Sequence, residues 1–187
     1  MDIFIYISVL TSALLCAVIV RVRILSFAGQ KVQDYEGLGP VFDLPTHLDG
    51  ALICDGVIFG PTGRVTSRFN ARMIGTWEGD TGTLHEEFTY DSGAQQTRAW
   101  HLEVKGPNRF VARADDVIGI GVGRNAGPAV RLSYRIVLPQ DSGGHKLDVI
   151  DWMYLDTGGN IINRSQFFKY GFKVAELIAT IRKDTSE

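Results

Sequence analysis

The chain has 187 residues, 45% of them hydrophobic, with a formal net charge of -2 and a pI near 6.1. No dense Lys/Arg stripe is present to meet phosphates, which argues against nucleic acid as the main partner. The two cysteines, Cys16 in an apolar segment and Cys54 alone in the remainder, exclude a disulfide framework.

Ile3 to Val20 carries no charge and would span roughly 27 Å as a helix, close to the hydrocarbon thickness of a bilayer. It reads as a single membrane span within an anchor at residues 1–25. A cleaved signal is the rival, but the chain opens Met1-Asp2 without a basic region, and no A-x-A-like site follows. Ala13-Leu14-Leu15 before Cys16 is also a poor lipoprotein cleavage site. Arg21 and Arg23 follow the span, and the positive-inside rule then predicts a cytoplasmic domain, with the far side as the alternative. Residues 26–41 are polar and glycine-bearing, and are expected to link the membrane to a domain at 42–187.

From Ala51 the pattern changes to short alternating runs separated by turn signals, with no long amphipathic helix. The runs cover 51–59, 64–77, 82–90, 95–105, 108–115, 117–123, 129–138, 146–155, 160–169 and 173–183. Connections this short favour antiparallel neighbours, so an all-β up-and-down meander of eight to ten strands is predicted, closed into a barrel that leaves no exposed edge. In 64–77 the face carrying Phe69, Ala71, Met73, Gly75 and Trp77 points inward, opposite Arg64, Arg68, Asn70 and Arg72. In VIGIGVG, glycines 119, 121 and 123 share a face, as expected of a coiled corner strand or of space beside a ligand.

The segments FDLPTHLDG, GPTGRVTSRF, EEFTYDSGAQQTRAW, DWMYLDTGGNIINRS and KYGFKVAELIATIRK resemble, in this order, the bacterial family known as domain of unknown function 3833. The similarity runs from Phe42 to Lys183. It implies a lipocalin-like, calycin-type barrel of a bacterial protein on a membrane tether, commonly a lipoprotein anchor in that family. The span Ile3 to Val20 departs from that pattern, and predicts a single-pass protein of the bacterial inner membrane. The resemblance supplies no activity, cofactor or catalytic residue to carry over.

Most other motifs fall on physical grounds. Gly121-Val-Gly123-Arg-Asn-Ala126 matches a dinucleotide fingerprint by letter, but a strand pattern follows where the motif needs a helix N-terminus. His47, His85, His101 and His145 are scattered, so no metal site and no cofactor is expected. Asn163-Arg164-Ser165 is a glycosylation sequon by letter only.

The informative residues are polar side chains on apolar faces. In the hairpin 129–138/146–155, pairing Leu138 with Leu147 sets Tyr134 opposite Asp151, and puts Trp152 on an outer surface with Arg131. In the hairpin 82–90/95–105, Phe88 is expected opposite Arg98 and Glu86 opposite Trp100, leaving Glu86 and Arg98 diagonal. Isolated charges would cost several kcal/mol on such faces, so Glu86, Arg98, Tyr134 and Asp151 are expected to form one inward cluster. That cluster either closes on itself or lines a cavity. In the second case Arg98 would hold a carboxylate or phosphate head group while Trp77, Phe88, Trp100 and the glycine strand accept an apolar tail. The expected function is thus lipid or amphiphile binding near the bilayer. The alternatives are an isomerase or cyclase with Asp151 or Glu86 as base and Tyr134 as proton donor, or a non-binding membrane-tethered interaction module.

Overall fold

In a computed structural model the chain forms two compact units, Met1–Asp34 and Tyr35–Glu187. Residues 2–186 are described; Met1 and Glu187, the outer limits of the expected anchor and barrel, lie outside them. The first unit holds helix α1, Asp2–Arg23, whose stretch Ile3–Arg21 is long and apolar enough to cross a membrane.

The second unit is a closed antiparallel barrel of ten strands. They are β1 Gly50–Phe59, β2 Val65–Glu78, β3 Thr81–Tyr90, β4 Gln95–Val104, β5 Arg109–Arg113, β6 Gly121–Ala126, β7 Ala129–Val137, β8 Lys146–Leu155, β9 Ile161–Lys169 and β10 Phe172–Lys183. Every strand pairs with its neighbour in sequence, and β1 pairs with β10 to close the ring, so no edge remains. Period-two patterning produces this directly. Along β2, Phe69, Ala71, Met73 and Gly75 are buried, whereas Arg68, Asn70, Arg72 and Ile74 are exposed.

One end of the barrel is plugged. Asp43 caps the short helix α2, Leu44–His47, by accepting from the Thr46 N–H at 3.0 Å. Phe42, Leu44 and Leu48 are then buried in the main core with Leu52, Met73, Leu102, Phe110 and Ile181. Gly75 makes the approach possible, because a Cβ there would lie 1.6 Å from the Leu48 carbonyl oxygen. Lys183 Nζ also donates to the Thr46 carbonyl at 3.3 Å. The other end carries the β1–β2, β3–β4, β7–β8 and β9–β10 connections.

Three expectations are corrected. The run 117–123 is not one strand: Gly119 adopts φ +74, which breaks the pleat, and β6 starts only at Gly121. Gly123 lies where a Cβ would come within 2.1 Å of the Phe110 ring, so its space is filled by that ring and not left for a ligand. Trp152 faces outward yet is only 2% exposed. Tyr35, from the expected linker, packs over it with ring centroids 5.9 Å apart, and the Phe42 N–H donates to the Gly127 carbonyl at 2.8 Å.

The two central hairpins also slip by two residues from the expected register. Leu147 pairs with Ile136, Asp151 with Leu132 and Tyr134 with Val149. Glu86 pairs with Arg98, Phe88 with Gln96 and Leu84 with Trp100. The turns close more tightly than assumed. The Tyr90 N–H donates to the Ala94 carbonyl at 2.9 Å, and the Leu138 N–H to the His145 carbonyl at 2.9 Å. A two-residue slip keeps every side chain on its face, so the inward set survives with different partners.

Candidate functional site: a lined cavity in the barrel

Inside the barrel lies a cavity of about 690 Å³. Leu44 of α2 and Leu48 just after it form its floor, Leu132, Met153 and Phe69 its walls, and Ser92, Ala94, Pro139 and Ser142 its rim. The volume falls within the ~300–1,000 Å³ common for small-molecule sites.

Across its middle runs a polar belt. Glu86 and Arg98 face each other across β3 and β4, with Tyr134 on β7, Asp151 on β8, and Asp116 on the β5–β6 connection. Backbone bonds hold that connection along β7: the Ile118 N–H donates to the Arg135 carbonyl, and the Val137 N–H to the Asp116 carbonyl, both at 2.8 Å. Arg98 Nη2 therefore meets Asp116 Oδ1 at 3.1 Å, an ion pair without hydrogen-bond alignment. The guanidinium lies over the Trp100 ring at 4.1 Å and near the Tyr134 ring at 5.7 Å, and the two rings meet edge to face at 5.1 Å.

The expected partners of Asp151 are thus replaced. It accepts from the Ser165 hydroxyl at 2.7 Å and from the Asn163 amide, both on Oδ1. Asn163 donates also to the Trp152 carbonyl at 3.1 Å. Near the rim, the Tyr90 hydroxyl donates to Gln96 Oε1 at 3.0 Å.

Burial shifts the acids upward. Desolvation raises Glu86 to about 7, opposed by Arg98 and reinforced by Asp151 and Asp116. Asp151 is also raised by desolvation, with Ser165, Asn163 and Arg98 pulling the other way. Desolvation, with Glu86 next, pushes the inward Cys54 thiol up to about 12, and desolvation raises the Tyr134 phenol as well. For Arg98, burial acts to lower the value and is outweighed by Tyr134, Glu86 and Asp116.

Glu86, Arg98, Tyr134, Asp151, Phe88 and Trp100 all line the cavity. Trp77 does not: its ring fills the place where a Gly82 Cβ would come within 2.4 Å, at the end of β2 away from the rim. Sequence reasoning missed Asp116, Asn163 and Ser165. The last two were findable, since Ile161, Asn163, Ser165 and Phe167 alternate onto one face of β9. Asp116 lies in a connection, where period two says nothing.

The family model described as protein of unknown function, DUF3833, matches residues 21–183. The chain belongs to the DUF3833 family. No curated protein matches it by sequence. Two solved structures are similar to this DUF3833 barrel. The S-type phycobiliprotein lyase CPES from Guillardia theta has a TM-score of 0.55 at 9% identity, covering 76% of this chain and 91% of its own. Rv2717c from M. tuberculosis has a TM-score of 0.55 at 16% identity, covering 79% and 99% respectively. At such identities the likeness establishes the fold, a lipocalin-like barrel, and the DUF3833 site stands on its own geometry.

Proposed function

We propose that this protein is a membrane-tethered lipocalin-like barrel that binds one lipid or other amphiphile, its tail along the apolar wall and its head at the polar belt. The carrying observation is the cavity of about 690 Å³, with a polar belt part-way along otherwise apolar walls. That arrangement suits a guest with one wet end and one dry end.

A position near the bilayer has two supports. Helix α1 has the length and composition of a span. At the rim end, the β9–β10 turn exposes Tyr170 and Phe172 by 88% and 76%, between Lys169 and Lys173. Exposed aromatics flanked by lysines fit the headgroup region of a membrane. An isomerase-type reading draws on Glu86, whose value near 7 suits a general acid or base. It would need turnover of a guest that is lost in Glu86→Gln with binding retained.

The test compares the full-length wild type with Ala175→Trp, which places an indole in the rim half of the cavity and leaves the anchor intact. Both are extracted from membranes and their lipids measured by mass spectrometry. An amphiphile retained near one equivalent by the wild type and lost in the variant supports binding. Identical lipid profiles refute it, because α1 alone would then account for everything retained.

A further inference from the structure

The charges around the cavity narrow the chemistry of the guest's polar end. Glu86, Asp116 and Asp151 face the belt against the single guanidinium of Arg98. Arg98 and Asp116 neutralise each other at 3.1 Å, and Nε and Nη2 of Arg98 are sealed from the cavity together with Asp116 Oδ1. A carboxylate or phosphate head therefore finds no open guanidinium edge to hold it in a bidentate pair. It would instead enter beside two further carboxyl groups, adding like charge in a poorly solvated space.

The acceptors are better placed. Glu86 is 7% exposed, lines the cavity, and has no salt-bridge partner among the described residues; the Trp100 indole N–H is the donor turned toward it. Asp151 receives both of its described hydrogen bonds on Oδ1, so Oδ2 takes neither Ser165 nor Asn163. With Arg98 and Asp116 cancelling, Glu86 and Asp151 are the surplus.

We propose, resting on the amphiphile reading, that the guest's polar end is a hydrogen-bond donor without negative charge, best met by an alkylammonium seated between Glu86 and Asp151. A cation offsets one of the two surplus acids, and its N–H groups meet oxygens that no protein cation occupies. A neutral hydroxyl satisfies the same acceptors more weakly, and an anion satisfies neither.

The test uses the full-length protein in detergent with tail-matched dodecylamine, dodecanol and dodecanoate in competition at about pH 8, where the amine is still charged. Bound species are counted by native mass spectrometry. The expected order is amine over alcohol over carboxylate, with amine favoured over carboxylate roughly tenfold or more, as one charge-assisted hydrogen bond would give. Glu86→Gln and Asp151→Asn, isosteric exchanges that each remove one negative charge, should each reduce the preference for the amine over dodecanoate. Preferred binding of dodecanoate overturns this inference and leaves the amphiphile reading standing, as does an amine preference unchanged in both variants. Binding of none of the three compounds overturns both.

Discussion

Replacing Glu86 by Gln should remove the part of the pH-dependent stability that this one buried acid contributes. The carboxyl is buried on β3 and faces Arg98, Asp151, Asp116, Cys54, Tyr90 and Tyr134, and its value rises from 4.5 to about 7 in the folded protein. A raised carboxyl binds its proton more tightly folded than unfolded. Its contribution is fully present below about pH 4.5 and is lost as pH climbs toward 7. At about 1.4 kcal/mol per pH unit, the span between those two values amounts to at most ~3.5 kcal/mol. Gln resembles the protonated acid and does not titrate. Wild type and Glu86→Gln should match at about pH 4, while at about pH 8 the variant should be the more stable, by roughly 7–14 °C in Tm for a chain of this size. Thermal unfolding followed by near-UV circular dichroism, with both proteins in nanodiscs, measures the difference. A gap that stays constant between the two pH values, or a variant that loses ground as pH rises, would refute the burial of Glu86 as an uncompensated acid.

Arg98→Met leaves Asp116 without its cation and removes the Coulombic attraction that opposes the desolvation of Glu86, and should cost about 3–5 kcal/mol, more at neutral pH than in acid. Adding Asp116→Leu should recover much of it, and chemical denaturation of the single and double variants measures the coupling. Gly75→Ala puts a methyl group 1.6 Å from the Leu48 carbonyl oxygen, so α2 should lift from the floor, seen as faster amide hydrogen exchange over residues 43–48 without loss of the strand signal. Cys54, raised to about 12, should react with iodoacetamide at neutral pH about a thousandfold more slowly than a free thiol. Peptide-resolved mass spectrometry separates it from Cys16, and a rate near that of a free thiol would contradict its burial.

The ring of strands was legible because each run carries its own alternation and its own turn. Phe69, Ala71 and Met73 against Arg68, Asn70 and Arg72 is a pattern that admits one facing only once a core exists. The places where reading failed are those where backbone geometry outranks hydropathy. Gly119 turns left-handed in a stretch whose letters alternate without fault. Tyr35 covers Trp152 across a distance in sequence that no local window sees, and so an aromatic that reads as outer surface becomes part of the buried layer.

The polar belt shows a second limit. Parity in a strand tells which residues point inward, and here it identified Glu86, Arg98, Tyr134 and Asp151 correctly as inward groups. Pairing depends on turn length, and two turns tighter by two residues exchanged every partner. Arg98 then lies directly across from Glu86 and, through the inserted connection, against Asp116; Asp151 moves to Ser165 and Asn163. Those last two are the outer letters of Asn163-Arg164-Ser165, a tripeptide that reads as a surface signal. Its period-two phase puts Asn163 and Ser165 inside at 8% and 4% exposure, donating to the Asp151 carboxylate on an otherwise apolar face. A belt so assembled keeps its cation spent and its acids in surplus, and that imbalance is why the head group it suits is a donor and not an anion.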